Sequence, residues 1–187
     1  MTEQIVTFRH PEHHEISELK KLWQLVFGDT DEFLDSFFDI MFKPKECVAA
    51  FVDGSLAAAG YCLSGAFALE KSVHYIYSMA THPDYRGRGL ASEIALRLKN
   101  NAFRAGAFAV ATLPATESLV SWYSKLLNMQ PSFKKGGAGV CYEPNWHIFA
   151  EGISGHSEGT PSRLLACLQD DSFAEAFCEL GWEYTFD

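Results

Sequence analysis

A short segment of alternating arginine and glycine, Arg86-Gly87-Arg88-Gly89, has the residue types best suited to holding an anion. The glycines allow the backbone to turn sharply and to approach a ligand closely. A helix is predicted to begin directly after them, and the N–H groups at the start of a helix attract negative charge. The arginines add charge and hydrogen-bond donors. Taken alone, the segment is about equally compatible with a phosphate site and with a turn carrying two solvated arginines.

The elements that would position this loop follow from the spacing of apolar residues. Val73 to Thr81 is rich in Tyr, Ile and Val and predicts a strand directly before the loop. Leu90 to Leu98 carries apolar residues at helical spacing, and Phe108 to Leu113 predicts the next strand. A strand, a helix and a strand in this order predict a parallel pair joined by a right-handed crossover. The loop is therefore expected where a strand ends and a helix begins.

The rest of the chain predicts a mixed α/β fold. A short strand at Ile5 to Phe8 is followed by two amphipathic helices, the first ended by Gly28 and the second begun by Asp29. Two apolar runs on either side of Asp53-Gly54 predict a β-hairpin. We expect a mixed central sheet of about six or seven strands with helices on both faces.

The chain divides into a main domain and a short tail in this prediction. Residues 1–150 would form the main domain, and residues 151–187 a tail with two short helices docked on it. Thr160-Pro161 has the pattern of a first helix start. Ser172 with Glu175 resembles a capping box for the second helix, and Gly181 would follow its end.

Composition and charge exclude several classes of protein. The formal net charge is -9 with no evident basic face, which argues against nucleic-acid binding. No apolar run reaches about 18 residues, so no membrane partner is expected. The amino-terminal residues lack a signal-peptide pattern, and the five cysteines include no CxxC pair. We therefore expect a cytoplasmic protein without a metal site, and a homodimer is compatible with the sequence.

Two motifs resemble those of the GNAT (GCN5-related N-acetyltransferase) superfamily. Arg86 to Ala91 is similar to its motif A, [Gln/Arg]-x-x-Gly-x-[Gly/Ala], and the preceding His82 to Tyr85 resembles the usual lead-in. Pro114 to Tyr123 resembles motif B, in which a helix carries a tyrosine close to the thioester sulfur. The resemblance covers about residues 5–149. Within it, the amino-acid sequence from Leu22 onward is similar to that of Eis-like predicted acetyltransferases.

The resemblance implies acetyl-CoA as the acyl donor and assigns roles to individual residues. Tyr123 would donate to the departing thiolate, and the alternative is that it is an aromatic packing residue. Tyr75 stands where several members carry a general-base glutamate, so the base is not assigned. A backbone N–H near Met79 or Ala80 would meet the oxyanion. The residues expected to contact the donor are Met79, Ala80, Thr81, Arg86, Gly87, Arg88, Gly89, Leu90, Ala91, Ser92 and Ser118.

Two functions remain open at this point. The first is an N-acetyltransferase in which a primary amine of a small molecule, a peptide or a protein attacks the thioester directly. The second is a non-catalytic acyl-CoA-binding regulatory module. Two departures from the family pattern favour the second function. They are the tyrosine at position 75 and the segment Lys125 to Met129, which replaces the Leu-Gly-Phe that usually follows the motif B tyrosine.

Overall fold

A single mixed sheet organises residues 3–153 and 163–186, which are the residues that the computed structural model describes. Within these ranges the sheet has nine strands in the order β1-β2-β3-β4-β5-β8-β6-β9, and β7 pairs with β3. The strands are β1 (Val6–Arg9), β2 (Cys47–Val52), β3 (Ser55–Ala68), β4 (Lys71–Thr81), β5 (Ala109–Thr112), β6 (Gln130–Lys135), β7 (Val140–Tyr142), β8 (Arg163–Leu168) and β9 (Gly181–Trp182). The helices are α1 (Ile16–Phe27), α2 (Asp31–Ile40), α3 (Leu90–Arg104), α4 (Glu117–Leu127), α5 (Pro144–Gly152) and α6 (Ala174–Cys178).

The predicted hairpin and the first two helices are present. β2 and β3 pair antiparallel about Asp53-Gly54, where both residues have positive φ, as a tight hairpin turn requires. α1 ends at Gly28, which has a left-handed φ of 76°. The predicted start of α2 at Asp29 is wrong by one residue. Thr30 is the cap, because its hydroxyl accepts a hydrogen bond from the Phe33 N–H.

The predicted strand–helix–strand crossover is also confirmed. β4 and β5 run parallel, with Val73 opposite Ala109 and Ile76 opposite Thr112. β5 ends at Thr112, but β4 continues to Thr81. The two strands therefore part beyond this point and leave an opening in the middle of the sheet.

The predicted first helix of the tail is wrong. Its proposed cap at Thr160-Pro161 lies outside the described residues, and Arg163–Leu168 forms strand β8 between β5 and β6. Four consecutive residues of this run, Leu164 to Cys167, are buried. An apolar run buried on both faces suits a central strand better than an amphipathic helix. The tail thus completes the sheet, and this is one reason why the sheet exceeds six or seven strands.

The second predicted tail helix exists in altered form. A short turn of 3₁₀ helix precedes α6, and the side chain of Asp170, not that of Ser172, caps it. Gly181 opens strand β9 beside β6. The close approach of Gly137 to Gly181 leaves no room for a side chain, since a Cβ at residue 181 would lie 2.5 Å from a backbone carbon.

The core has two parts, one on each face of the sheet. The face covered by α1, α2 and α5 contains Trp23, Phe37 and Trp146 among its buried residues. The face covered by α3 and α4 contains Ile94 and Leu127. Side chains alternate along β4, so that Tyr75 packs on the first face and Ile76 on the second. None of the helices within the described ranges is long and apolar enough to cross a membrane.

Candidate active site

A cleft of about 1070 Å³ lies where β4 and β5 part. It is lined by the loop before α3, by the second half of β4, by the segment from β5 into α4, by the α1–α2 connection, and by residues near the carboxyl end of the described chain. Residues of both core clusters line it, since Trp23 belongs to one and Leu90 to the other. The cleft therefore connects the two faces of the sheet.

The loop between β4 and α3 has the open backbone that an anion site needs. Gly87 and Gly89 have φ of 73° and 76°, and nothing would lie within 4 Å of a Cβ at either position. Gly89 is the residue before the first turn of α3, whose Leu90 is buried and anchors the helix to the sheet. Arg86 donates from Nε to the Thr81 carbonyl at 3.3 Å, which ties the loop to the end of β4.

The predicted donor-binding residues line the cleft with two exceptions. The residues that do so are Met79, Thr81, Arg86, Gly87, Gly89, Leu90, Ala91, Ser92 and Ser118. Ala80 is buried in the core on the other side of its strand. Arg88 turns away, because its guanidinium donates to the Gln4 side chain at 2.8 Å and to the Asp84 carbonyl at 3.1 Å. Its positive charge also lies over the Tyr85 ring.

A β-bulge distorts β4 where it lines the cleft. Tyr77 pairs with Tyr61 and Ala80 with Ala59, so that Ser78 and Met79 together oppose the single residue Gly60. Ser78 has φ of 53°, a conformation that residues other than glycine seldom adopt. No local pattern predicts this bulge, since Ser78 and Met79 continue a normal strand pattern.

Gly60 lies opposite the bulge. The side chain of Met79 occupies the space that a Cβ at residue 60 would need. The hydroxyl of Ser78 is buried and has no hydrogen-bond partner within the described residues. The bulge thus places an unusual length of β4 backbone against the cleft.

Tyr123 reaches the middle of the cleft from α4. Thr116 begins this helix by accepting a hydrogen bond from the Leu119 N–H at 3.3 Å. The Tyr123 side chain lines the cleft, yet the residue is only 5% exposed. Burial raises the pKa of Tyr123 to about 12, and hydrogen bonding with Thr112 partly opposes this rise. Thr112 also donates to the Ile76 carbonyl at 3.0 Å, which holds the end of β5 against β4.

Tyr75 lines the other side of the cleft but is tied to the carboxyl end of the described chain. Its hydroxyl donates to the Thr185 carbonyl at 3.0 Å, and the hydroxyl of Tyr77 donates to the Phe186 carbonyl at 2.7 Å. The two tyrosine rings stack with centroids 5.9 Å apart. Thr185 and Phe186 are site residues that the sequence prediction missed, because nothing in the local pattern shows that the tail returns to β4.

The α1–α2 connection supplies the remaining wall, with aromatic residues and one carboxylate. Trp23, Phe27 and Phe33 line the cleft together with Asp29. Among the described lining residues, Asp29 is the one carboxylic acid and Arg86 the one strongly basic side chain. Within the described chain, no three His, Cys, Asp or Glu side chains are grouped so that they could hold a metal ion.

Comparison with known families identifies this arrangement. The model of the acetyltransferase (GNAT) family matches residues 13–129, which is more than half of the chain. The chain belongs to the GNAT acetyltransferase family. The matched range includes α1 and α2, the glycine-rich loop and the Tyr123 helix, so every wall of the cleft except the tail lies within it. The motif resemblances to this family are thereby confirmed.

Solved GNAT structures share the fold at low sequence identity. The GNAT family N-acetyltransferase YhbS from Escherichia coli, solved in complex with CoA, has 15% identity and a TM-score of 0.69, and the likeness covers 98% of this chain and 92% of the other. An Enterococcus faecalis protein described as a probable N-acyltransferase has 15% identity and a TM-score of 0.60, over 71% of this chain and 34% of its own.

Eis1 from Mycobacterium abscessus is also similar in fold. It has 10% identity and a TM-score of 0.56, and the likeness covers 70% of this chain and 32% of Eis1. This GNAT chain thus spans about a third of the length of the Enterococcus faecalis and Mycobacterium abscessus proteins, but most of the length of YhbS. Among curated protein sequences, no similar one was found.

Proposed function

We propose that this GNAT protein transfers the acetyl group of acetyl-CoA to a primary amine by direct attack. The observation that carries the proposal is the cleft through the sheet. The glycine-rich loop before α3, the buried Tyr123, and the aromatic α1–α2 connection with Asp29 all line this one cleft. A donor and an acceptor entering from opposite faces would meet beside Tyr123.

The loop and the start of α3 would bind the pyrophosphate of the donor. Gly87 and Gly89 leave their backbone open to a ligand, and the first N–H groups of α3 offer donors without steric obstruction. Arg86, which lines the cleft, would add charge-assisted hydrogen bonds. Met79, Thr81 and Ser118 would line the path of the pantetheine arm between the separated strands.

The bulged backbone of β4 would stabilise the oxyanion. When the amine nitrogen attacks the thioester carbon, negative charge develops on the carbonyl oxygen before the C–S bond breaks. A β-bulge leaves backbone groups outside the regular ladder, where they can donate to a ligand. The N–H of Met79 or Ala80, next to the left-handed Ser78, is the candidate donor.

Tyr123 would stabilise the leaving thiolate by donating a hydrogen bond. With its pKa at about 12, the side chain is protonated at neutral pH. An ordinary thiol has a pKa of about 8.5, so full proton transfer from Tyr123 would be unfavourable by about 5 kcal/mol. A strong hydrogen bond from a tyrosine that remains protonated fits this difference better than acid catalysis with complete transfer.

The acceptor must lose a proton before it attacks. An alkylamine with a pKa of about 10.4 is neutral in roughly one molecule in a few thousand at pH 7. Tyr75 offers no carboxylate for this step, and its hydroxyl donates to the Thr185 carbonyl. We therefore propose that solvent in the cleft takes the proton from the ammonium group. The rate with subsaturating amine should then rise with pH until the pH reaches the pKa of the amine.

Release of CoA from acetyl-CoA in the presence of a panel of amines tests the proposal. We expect release with at least one amine, and a kcat for Tyr123→Phe that is about 10- to 100-fold lower at unchanged affinity for acetyl-CoA. Tyr142→Phe is the matched control, since it removes a half-buried phenol oxygen that accepts from the Glu183 N–H outside the cleft.

The second candidate, a non-catalytic acyl-CoA-binding module, predicts a different result. The observation that favours it is the aromatic, hydrogen-bonded Tyr75 in place of a carboxylate. Tight binding of acetyl-CoA without release on any amine would support this module and contradict the proposed transfer. No binding of acetyl-CoA would contradict both.

A further inference from the structure

The acceptor end of the cleft combines one carboxylate with several aromatic rings. We propose that Asp29 binds the positive charge of the acceptor and that the surrounding rings select an amine carried on an aromatic body. This inference rests on the proposed function, because it assigns the amine to the face of the sheet opposite the phosphate loop. It names both a specificity-determining residue and a class of substrate.

The position of Asp29 is fixed by its neighbours. Gly28 ends α1 in a left-handed conformation and turns the chain, so that Asp29 precedes the cap of α2. One carboxylate oxygen accepts a hydrogen bond from Trp23 Nε1 at 2.7 Å. Trp23 is 2% exposed and is held by the core. The half-buried carboxylate is thus oriented by a rigid donor, and its second oxygen remains available to an ammonium group.

The rings around Asp29 form a continuous wall centred on Trp23. Ring centroids lie 5.6 Å from Trp23 for Tyr77, 6.1 Å for Phe33 and 6.3 Å for Phe27. Phe27 is 48% exposed, so its ring lies at the mouth of the cleft. Aromatic faces attract cations and also accept flat apolar groups by stacking. A wall of this kind favours an acceptor that carries a ring next to its ammonium group.

The two charged lining residues divide the cleft between its two substrates. Arg86 belongs to the loop before α3 and Asp29 to the α1–α2 connection, and these two helical layers pack on opposite faces of the sheet. A polyanionic donor is attracted to the first and repelled by the second, whereas a cationic amine has the reverse preference. The overall formal charge of -9 also favours the approach of a cation.

Asp29 is assigned to binding and not to proton abstraction. A carboxylate is a far weaker base than an alkylamine, so it holds the ammonium form and does not deprotonate it efficiently. The deprotonated amine that attacks therefore arises after the ammonium has been delivered to the cleft. Loss of the Asp29 charge should consequently affect KM for the amine much more than kcat.

Equilibrium binding to the CoA-loaded protein tests the inference without relying on turnover. The probes are 2-phenylethylamine, the uncharged 2-phenylethanol of nearly the same shape, and ethylamine, which lacks the ring. We expect 2-phenylethylamine to bind at least about tenfold more tightly than either of the other two. Calorimetry gives the three dissociation constants.

Asp29→Asn should abolish the preference for the amine over the alcohol. The asparagine amide oxygen can still accept from Trp23, so the variant removes the charge and keeps the hydrogen bond. Asp31→Asn is the matched control, because Asp31 is exposed, accepts from Gln24 at 2.8 Å and does not line the cleft. This control should leave all three dissociation constants unchanged within about twofold.

Three results would overturn the inference. They are a preference for the amine that survives in Asp29→Asn, equal binding of ethylamine and 2-phenylethylamine, and no measurable binding of any amine at millimolar concentration. Failure of the proposed function is distinguishable from these results. In that case, 2-phenylethylamine binds with the expected dependence on Asp29, but the wild-type protein releases no CoA.

Discussion

The two faces of the sheet contribute to the walls of the cleft by different means. On the α3/α4 face, the glycine-rich loop relies on backbone conformation, with Gly87 and Gly89 in left-handed geometry and open to solvent. On the α1/α2 face, the wall consists of interlocked side chains, and Trp23 alone contacts six aromatic rings. In the function proposed above, the backbone loop receives the donor and the wall of side chains receives the acceptor.

This difference predicts how each face responds to substitution. A change on the α3/α4 face should impair donor binding and leave acceptor selection intact. A change on the α1/α2 face should do the opposite, and it should also alter stability because the same residues form the core. The following substitutions test this separation.

Gly89→Glu should have the largest effect. A side chain at φ of 76° strains the loop, and its carboxylate would lie where the pyrophosphate is expected. Affinity for acetyl-CoA, measured by calorimetry, should fall by at least about 100-fold. Gly106→Glu, at φ of 95° just beyond the other end of α3 and with equally open surroundings, is the control that should retain binding. Equal losses in both variants would mean that strain, not position, causes the effect.

Substitution of the two loop arginines should have unequal effects. Arg86 lines the cleft, whereas Arg88 is engaged with Gln4 and the Asp84 carbonyl. Arg86→Ala should weaken acetyl-CoA binding by about tenfold, and Arg88→Ala by no more than about twofold. The sequence alone predicted a role for both residues. A larger loss with Arg88→Ala would restore that prediction and contradict the orientation described above.

Tyr75→Phe should destabilise the protein and leave the donor site intact. The variant removes a buried hydroxyl that donates to the Thr185 carbonyl, which would cost about 1–2 kcal/mol in the free energy of unfolding. Urea denaturation measures this change, and the acetyl-CoA dissociation constant should not alter. If kcat fell with stability unchanged, Tyr75 would be a catalytic residue, as its motif position implies.

The smallest effect concerns the ion pair between β1 and the segment before α1. Arg9 donates twice to Glu15, at 2.8 and 2.6 Å, and chiefly for this reason the pKa of Glu15 is lowered to about 2. A carboxyl whose pKa is lower in the folded than in the unfolded state stabilises the folded protein at neutral pH. This contribution is lost as pH falls from about 4.5 to 2.

Glu15→Gln should therefore reduce the free energy of unfolding by about 1 kcal/mol at pH 7. The expected loss is small because Arg9 is partly exposed and solvent screens its attraction to Glu15. The difference between variant and wild type should disappear as pH approaches 2. Thermal unfolding across this pH range measures it. A difference that is constant with pH would show that the pair does not account for the effect.

Local signals in the sequence predicted the secondary structure of the α3/α4 face well. The left-handed glycines, the start of α3 and the Thr116 cap all follow from residue types whose conformational preferences act within a few positions. The hairpin at Asp53-Gly54 was predictable for the same reason. The family motif then carried this local prediction to a function.

The acceptor face was less predictable because it depends on contacts between distant parts of the chain. The hydrogen bond from Tyr75 to the Thr185 carbonyl spans 110 positions in the sequence. Asp29 was interpreted as a helix cap, since its bond to Trp23 becomes visible only when α1 and the following turn are folded. The apolar run at Arg163–Leu168 did not reveal that it would enter the sheet between β5 and β6.

A crystal structure with CoA and 2-phenylethylamine bound tests most directly whether the two faces receive different substrates. We expect the pyrophosphate on the backbone N–H groups between Gly87 and Ser92, and the thiol within hydrogen-bonding distance of the Tyr123 hydroxyl. The ammonium group should lie against the Asp29 oxygen that does not accept from Trp23, with its ring against the aromatic wall. A pyrophosphate bound away from this loop, or an amine on the same face as the pyrophosphate, would contradict the separation of donor and acceptor sites.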